Sequence, residues 1–395
     1  MIGNFMYHNP TKLYFGPESL VYLKDELNNC GTTVMLIYGG GSIKRNGLYD
    51  EVMTILREAG KQVVEDAGVM SNPTSAKVYE GIEIARQNQV DFILAVGGGS
   101  VCDYAKVIGA ATHFEGDFWE YFFLQQQNPL PTQKIIPLGC VLTMAGTGSE
   151  MNAGSVIMNE DRHLKLGHTF DKRSLPQFSI LNPHFTMSLP IDQLRSGIYD
   201  IMSHLMEQYF SGEDNNTSDY LIEALMKNVV DEGGKAVANP NDYEVRSNIM
   251  WAATWALNGL VKCGKKQDWM VHMIGHSVGS HTHAAHGTTL SAVSLAYYKH
   301  IMPYGLHKFK RFAENVWGVS PDGKTDEQVA TEGLKAMQAW ITEMGLPQTI
   351  SELGATADML DDIAKGVIIF DAGYHQLTSD ELMAILKDSL TPVVF

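Results

Sequence analysis

The sequence predicts a two-part molecule: an α/β domain with a mostly parallel sheet over residues 1–185, and an all-helical domain over residues 186–395. Three observations carry this. At 395 residues the chain exceeds what one hydrophobic core usually organises, so two domains are the default. Its first half alternates short β-branched runs with amphipathic stretches, the rhythm of βαβ units with helices on both faces of a sheet. From Ile191 onward the long segments instead carry apolar residues at intervals of three and four, the helical period.

Taken in order, residues 33–38 (TVMLIY) read as a buried strand and 44–59 as the helix after it. Residues 90–96 read as a strand entering a glycine triplet, and 101–112 as the following helix. Residues 134–141, 154–158 and 178–181 supply further strands. Pro183 and Pro190 bracket a connector, after which 192–210, 218–237, 243–261 and 327–344 read as helices.

Composition narrows the function classes. The chain is 45% hydrophobic and 19% charged, too apolar for disorder and too polar for a membrane protein. Its 45 acidic against 29 basic residues give a formal net charge of −16, a field that repels phosphate backbones and anionic lipid. Nucleic acid and membrane are therefore set aside as partners. The four cysteines are scattered without a CxxC pair, and no signal-like or spanning segment is found, so a cytoplasmic protein is expected.

Two glycine triplets stand where a strand ends and a helix begins: Gly39-Gly40-Gly41-Ser42 and Gly97-Gly98-Gly99-Ser100. Such turns let a phosphate approach backbone N–H groups at the positive end of a helix. The pattern is not G-x-G-x-x-G, and a triplet also suits a tight corner; Ser100 with Asp103 can equally form a capping box. Two such turns on one side of a parallel sheet suit separated phosphates, hence a dinucleotide in a Rossmann-like site. The first turn carries no acid for a ribose hydroxyl but is followed by Lys44 and Arg45, which tolerate a 2′-phosphate and tilt the expectation from NAD to NADP. The segment 143–152 (TMAGTGSEMN) has small hydroxylated residues able to bond ribose or amide groups, or to form an ordinary loop.

Asp200 and His204 lie four apart in a helical stretch, His272 and His276 repeat that spacing, and five of the 14 histidines fall between 272 and 286. Pairs at that spacing share a helix face and can share an ion. One carboxylate with imidazoles suits Fe(II), Zn, Ni or Mn, and without thiolates a zinc finger is excluded. Spacing leaves open which of His276, His281, His283 and His286 are ligands.

Together these residues resemble the iron-containing (group III) alcohol dehydrogenase family, in its butanol dehydrogenase-like branch, over essentially the whole chain. The resemblance rests on Gly97–Ser100 with Asp103, on 143–152, on the helix 197–209 with Asp200 and His204, and on 272–287. It implies a metal-dependent alcohol dehydrogenase or aldehyde reductase that moves a hydride between NAD(P)H and a small primary alcohol or aldehyde. The implied ligands of a divalent metal, Fe(II) first and Zn second, are Asp200, His204, His272 and His286, with His276 as proton carrier or as a packed residue behind them. The implied dinucleotide contacts are Gly39 to Ser42, Asn72, Gly97 to Ser100, Asp103, Thr143, Thr147, Asn152 and Lys165. His281 and His283 are extra to the family pattern. A homodimer is also implied. A polyol dehydrogenase and a dehydroquinate synthase-like lyase of the same architecture are the alternatives.

Overall fold

A computed structural model describes residues 3–212 and 217–395. They divide into two compact units, one formed by His8–Pro190 and one by Ile191–Phe395 together with residues 3–7. The division falls after Pro190 rather than after residue 185 because the turn Pro183–Thr186 stays with the sheet. Asn182 caps that turn and donates its side-chain N–H to the Pro17 carbonyl at 2.9 Å. Residues 3–7 count with the helical unit, where Gly3 N–H donates to the Gly264 carbonyl at 3.1 Å.

In the α/β unit the strands are β1 (Lys12–Phe15), β2 (Thr33–Tyr38), β3 (Gln62–Asp66), β4 (Phe92–Gly97), β5 (Leu138–Leu142), β6 (Gly154–Asn159), β7 (Leu164–Thr169) and β8 (Phe178–Leu181). Six of them form one parallel sheet in the order β1-β8-β5-β4-β2-β3. The helices are α1 (Leu23–Asn28), α2 (Ser42–Arg45), α3 (Leu48–Glu58), α4 (Ser75–Gln87) and α5 (Gly99–Ala111). Leu23, Leu27, Val52 and Leu56 of α1 and α3 cluster with Val34, Leu36, Leu94 and Val96 on one sheet face. On the other face Gly109 of α5 lies against Ile93, as the strand alternation requires. The central strands β2, β4 and β5 are buried almost throughout, which is why they read as continuous apolar runs.

The strand order sets where a ligand can go. From β2 the chain proceeds to β3 on one side, and from β4 to β5 on the other, so the C-terminal ends of neighbouring β2 and β4 face a topological switch point. Both glycine triplets sit there.

Three sequence expectations need correction. The helix expected over 44–59 is two helices, broken at Gly47, whose φ of 88° a non-glycine residue rarely adopts. The strand expected at 154–158 does not join the parallel sheet; β6 pairs antiparallel with β7 in a separate hairpin. Ser100 and Asp103 form no capping box: the N-cap of α5 is Gly98, without a side-chain cap. Ser100 instead donates its hydroxyl to the Ser71 carbonyl at 2.6 Å.

The helical unit comprises α6 (Ile191–Tyr209), α7 (Thr217–Ala238), α8 (Tyr243–Leu257), α9 (Met270–Thr282), α10 (His286–Ile301), α11 (Leu306–Trp317), α12 (Asp326–Glu343), α13 (Leu360–Lys365) and α14 (Ser379–Asp388). Helix α8 ends before residue 261 because the chain turns at Gly259, φ 92°. From Ser196 to Tyr209 every residue of α6 is buried, which makes α6 the central helix of the unit. An all-round buried helix that still carries Asp200, His204 and Glu207 must satisfy those groups internally.

Candidate functional site

In the helical unit, Asp200 and His204 project from one face of α6, His272 and His276 from α9, and His286 is the first residue of α10. Asp200 Oδ1 is the centre of the group. His204 Nε2 stands 3.4 Å from it, His272 Nε2 3.6 Å and His286 Nε2 3.4 Å. One ligand atom each from Asp200, His204 and His272 lies within 4.8 Å of the others. The approach of α10 to α6 depends on Gly287: a Cβ there would stand 1.9 Å from the Ser196 carbonyl oxygen, and the Gly287 N–H instead reaches Ser196 Oγ at 3.0 Å.

These donors fit a divalent ion. Nitrogen and oxygen ligands about 2.0–2.2 Å from a tetrahedral ion stand about 3.3–3.6 Å apart, the spacing found around Asp200 Oδ1. The buried His272 Nε2 faces that oxygen at 3.6 Å, beyond ordinary hydrogen-bond length.

Sequence reasoning missed Glu207. It is fully buried, and Oε1 contacts His272 Nδ1 while Oε2 accepts the His272 backbone N–H at 3.1 Å. Ser203 donates its hydroxyl to Oε1 at 2.8 Å. A carboxylate on Nδ1 fixes the tautomer that leaves the Nε2 lone pair for a metal and raises the basicity of the ring. Burial alone would pull the His272 pKa down, but Glu207 and Asp200 outweigh it and hold the metal-free ring at about 9. The missed signal was helical spacing: 200, 204 and 207 fall on one face of α6.

His276 is buried beside this group, its ring centroid 5.9 Å from that of His272 and 5.1 Å from that of His286. Trp269 walls the other side, 5.2 Å from the His272 ring and 6.0 Å from His204. His281 turns back on its own helix, with Nδ1 2.8 Å from the Ser277 carbonyl, and His283 is the exposed C-cap of α9.

In the α/β unit the named loops leave the C-terminal ends of three adjacent strands, β5, β4 and β2. Gly39, Gly40 and Gly41 follow β2 and Ser42 opens α2; Gly97 ends β4, and Gly99 and Ser100 open α5. Gly99 packs so closely on the third loop that a Cβ would stand 2.2 Å from Thr147 Oγ1. Thr143 follows β5 and donates its N–H to the Gly97 carbonyl at 2.9 Å. Asn72 accepts from Lys165 Nζ on β7 at 2.8 Å. No side chain caps α5, and while the Val101 and Cys102 N–H groups donate to the Gly98 carbonyl, those of Gly99 and Ser100 at the start of the helix suit a phosphate.

Asp103 points into the unit and braces the third loop, accepting from the Ser149 hydroxyl and the Val156 N–H. Beside it is a second residue the sequence reading missed, Lys106. It is fully buried, and its ammonium donates to Ser149 Oγ at 2.7 Å, Asn152 Oδ1 at 3.1 Å and the Gly154 carbonyl at 2.8 Å. A third, Glu65 on β3, lies 3.8 Å from Lys44 Nζ and accepts from the Tyr38 and Tyr49 hydroxyls at 2.6 and 2.8 Å. Part of the positive charge read at the first turn is therefore offset.

Comparison with known proteins agrees with both halves. Residues 10–183 match the family described as iron-containing alcohol dehydrogenase, and residues 195–390 match its C-terminal domain. The chain is 36% identical over 392 residues to NADH-dependent butanol dehydrogenase A of Clostridium acetobutylicum, covering 98% of this chain and 99% of the relative. It is 33% identical over 371 residues to the NADPH-dependent aldehyde reductase YqhD of Escherichia coli, covering 92% of each. The crystal structure of NADH-dependent butanol dehydrogenase A from Thermotoga maritima superposes with a TM-score of 0.93 at 33% identity, covering 99% of both chains. The chain belongs to the iron-containing alcohol dehydrogenase family, in its butanol dehydrogenase-like branch.

Proposed function

We propose that the protein is a metal-dependent alcohol dehydrogenase, or aldehyde reductase in the opposite direction, acting on small primary alcohols and aldehydes of the butanol and butanal type with NAD(P)(H). The observation that carries this is the convergence of three imidazole Nε2 atoms on Asp200 Oδ1. Asp200, His204, His272 and His286 hold the ion, Fe(II) first and Zn second. Bound there, a divalent ion supplies Lewis-acid polarisation of a carbonyl or alcohol oxygen, and the nicotinamide supplies or accepts the hydride.

The chain's own residues do the rest. Glu207 keeps Nδ1 of His272 protonated so that Nε2 faces inward. The start of α5 holds phosphate on the N–H groups of Gly99 and Ser100, and Gly99 admits the Thr147 loop against it. Lys165, fixed by Asn72, and the loop braced by Lys106 and Asp103 give the dinucleotide a rigid seat. Lys44 and Arg45 favour NADP, and Glu65 moderates that preference. His276, buried beside His286, takes the proton released from an alcohol hydroxyl and returns it to the aldehyde-derived oxygen in reduction.

The names of the relatives favour butanol- and aldehyde-type substrates over the polyol and lyase alternatives. A cytoplasmic homodimer completes the proposal. Its support is the family resemblance, four cysteines that are all free, and no helix among the described residues long and apolar enough to cross a membrane.

The test is steady-state reduction of butanal and a panel of aldehydes with NADPH and NADH on metal-defined protein. Chelation is expected to abolish turnover and added metal to restore it, and His272→Ala to lose both metal and turnover. Full activity after complete metal depletion would refute the proposal.

A further inference from the structure

A second group of ligand-type side chains lies in the helical unit, built from residues that the catalytic reading does not use. His300 is near the C-terminal end of α10, His375 is in the segment between α13 and α14, and Glu381 is in the first turn of α14. One ligand atom of each lies within 4.8 Å of the others. His375 Nε2 is 2.8 Å and His300 Nε2 3.4 Å from the same oxygen, Glu381 Oε1.

The donors are held before any ion arrives. Glu381 Oε2 is committed to the α14 capping box, accepting the Thr378 N–H and hydroxyl at 2.8 Å each, which aims Oε1 at the two imidazoles. The His375 ring is clamped by Tyr304, stacked at a centroid distance of 4.0 Å and an interplanar angle of 2°. Side-chain exposures of 24–26% leave room for water as a further ligand.

We propose that His300, His375 and Glu381 form a second divalent transition-metal site, separate from the centre at Asp200, which takes a Zn(II)-class ion through two imidazole nitrogens and one carboxylate oxygen. Two imidazoles with one carboxylate is a donor set that zinc accepts, with water in the fourth position. The 3.4 Å separation already matches the ligand spacing of a tetrahedral ion, and the 2.8 Å pair opens by roughly half an ångström to reach it. An ion there ties the chain before α14 to α10, the helix that begins with His286. This site stands independently of the catalytic reading.

The test is calorimetric titration of Zn2+ into the holoenzyme carrying its resident ion, with total metal per chain counted after gel filtration. Wild type is expected to retain one more metal per chain than His375→Ala, with butanal turnover the same in both and the extra zinc located at Glu381 by anomalous diffraction. His300→Gln, which keeps the volume of the side chain, is expected to lose the same equivalent and carries the test if His375→Ala folds poorly. Absence of any zinc beyond the resident centre in wild type would reduce the group to a hydrogen-bonded cluster and overturn the proposal. Equal zinc uptake by wild type and both variants would overturn it as well.

Discussion

Replacing Glu207 by Gln probes the site where its support is greatest and its direct chemistry least. The substitution preserves volume in a fully buried position but removes the charge that contacts His272 Nδ1. An amide there can donate as readily as accept, so the ring loses both its fixed tautomer and the basicity a carboxylate confers. Removal of such a partner behind a metal-bound histidine costs about tenfold to a hundredfold in metal affinity or activity, or about 1.4–2.7 kcal/mol. The assay is competition for metal against a chromophoric chelator, followed by butanal reduction at saturating metal. Affinity should fall within that range, and added metal should recover much of the turnover. Unchanged metal affinity in a folded Glu207→Gln protein would refute the argument that Glu207 sets the state of His272.

The remaining predictions concern the same groups and the nucleotide turns. Because the metal-free His272 ring is held at about 9, above the ordinary 6.5, metal uptake must displace a proton at neutral pH. Apparent metal affinity should rise with pH towards about 9 and level off at lower pH in Glu207→Gln, as followed by chelator competition across pH. The same shift means that the stabilisation of the metal-free protein by this contact is fully present below 6.5 and lost as pH rises through about 9, which thermal melts of the apoprotein should show. Gly99→Ala drives a Cβ to within 2.2 Å of Thr147 Oγ1, overpacking worth about 1–3 kcal/mol, and should lower Tm and raise the KM for NAD(P)H while leaving metal content intact. Lys106→Met strands the acceptors on Ser149, Asn152 and Gly154, at about 1–3 kcal/mol per unsatisfied group, and should raise hydrogen exchange over residues 147–154 with no effect on bound metal.

How much of this was legible in the sequence depended on whether the signal was local. Residues 33–38 and 178–181 read as strands with the bounds that β2 and β8 have, because each is an apolar run closed at both ends by turn residues. The hairpin of β6 and β7 was not legible as such: pairing direction depends on a partner strand, and residues 154–158 look alike in either arrangement. Helical spacing and histidine clustering pointed to the pairs Asp200/His204 and His272/His276 but left open which of His276, His281, His283 and His286 complete a ligand set; His286 entered only through the family resemblance. The close crossing of α10 over α6 at Gly287, a tertiary contact, is what brings His286 Nε2 to 3.4 Å from Asp200 Oδ1. Lys106 escaped notice because a lysine in an amphipathic stretch is ordinarily solvated. Here three acceptors from a loop far along the chain make its burial tolerable.

If the grouping of Asp200 with imidazoles from α6, α9 and α10 holds the ion as proposed, it also sets how the protein responds to starvation for that ion. No single helix supplies the set, so an ion held by it as proposed would bind the packed state far more tightly than the unfolded chain. Occupancy would then add directly to the free energy that keeps these three helices docked, by an amount that grows with the logarithm of free metal. A cell short of that metal would hold a chain that is at once inactive and easier to unfold, so its lifetime would track metal supply.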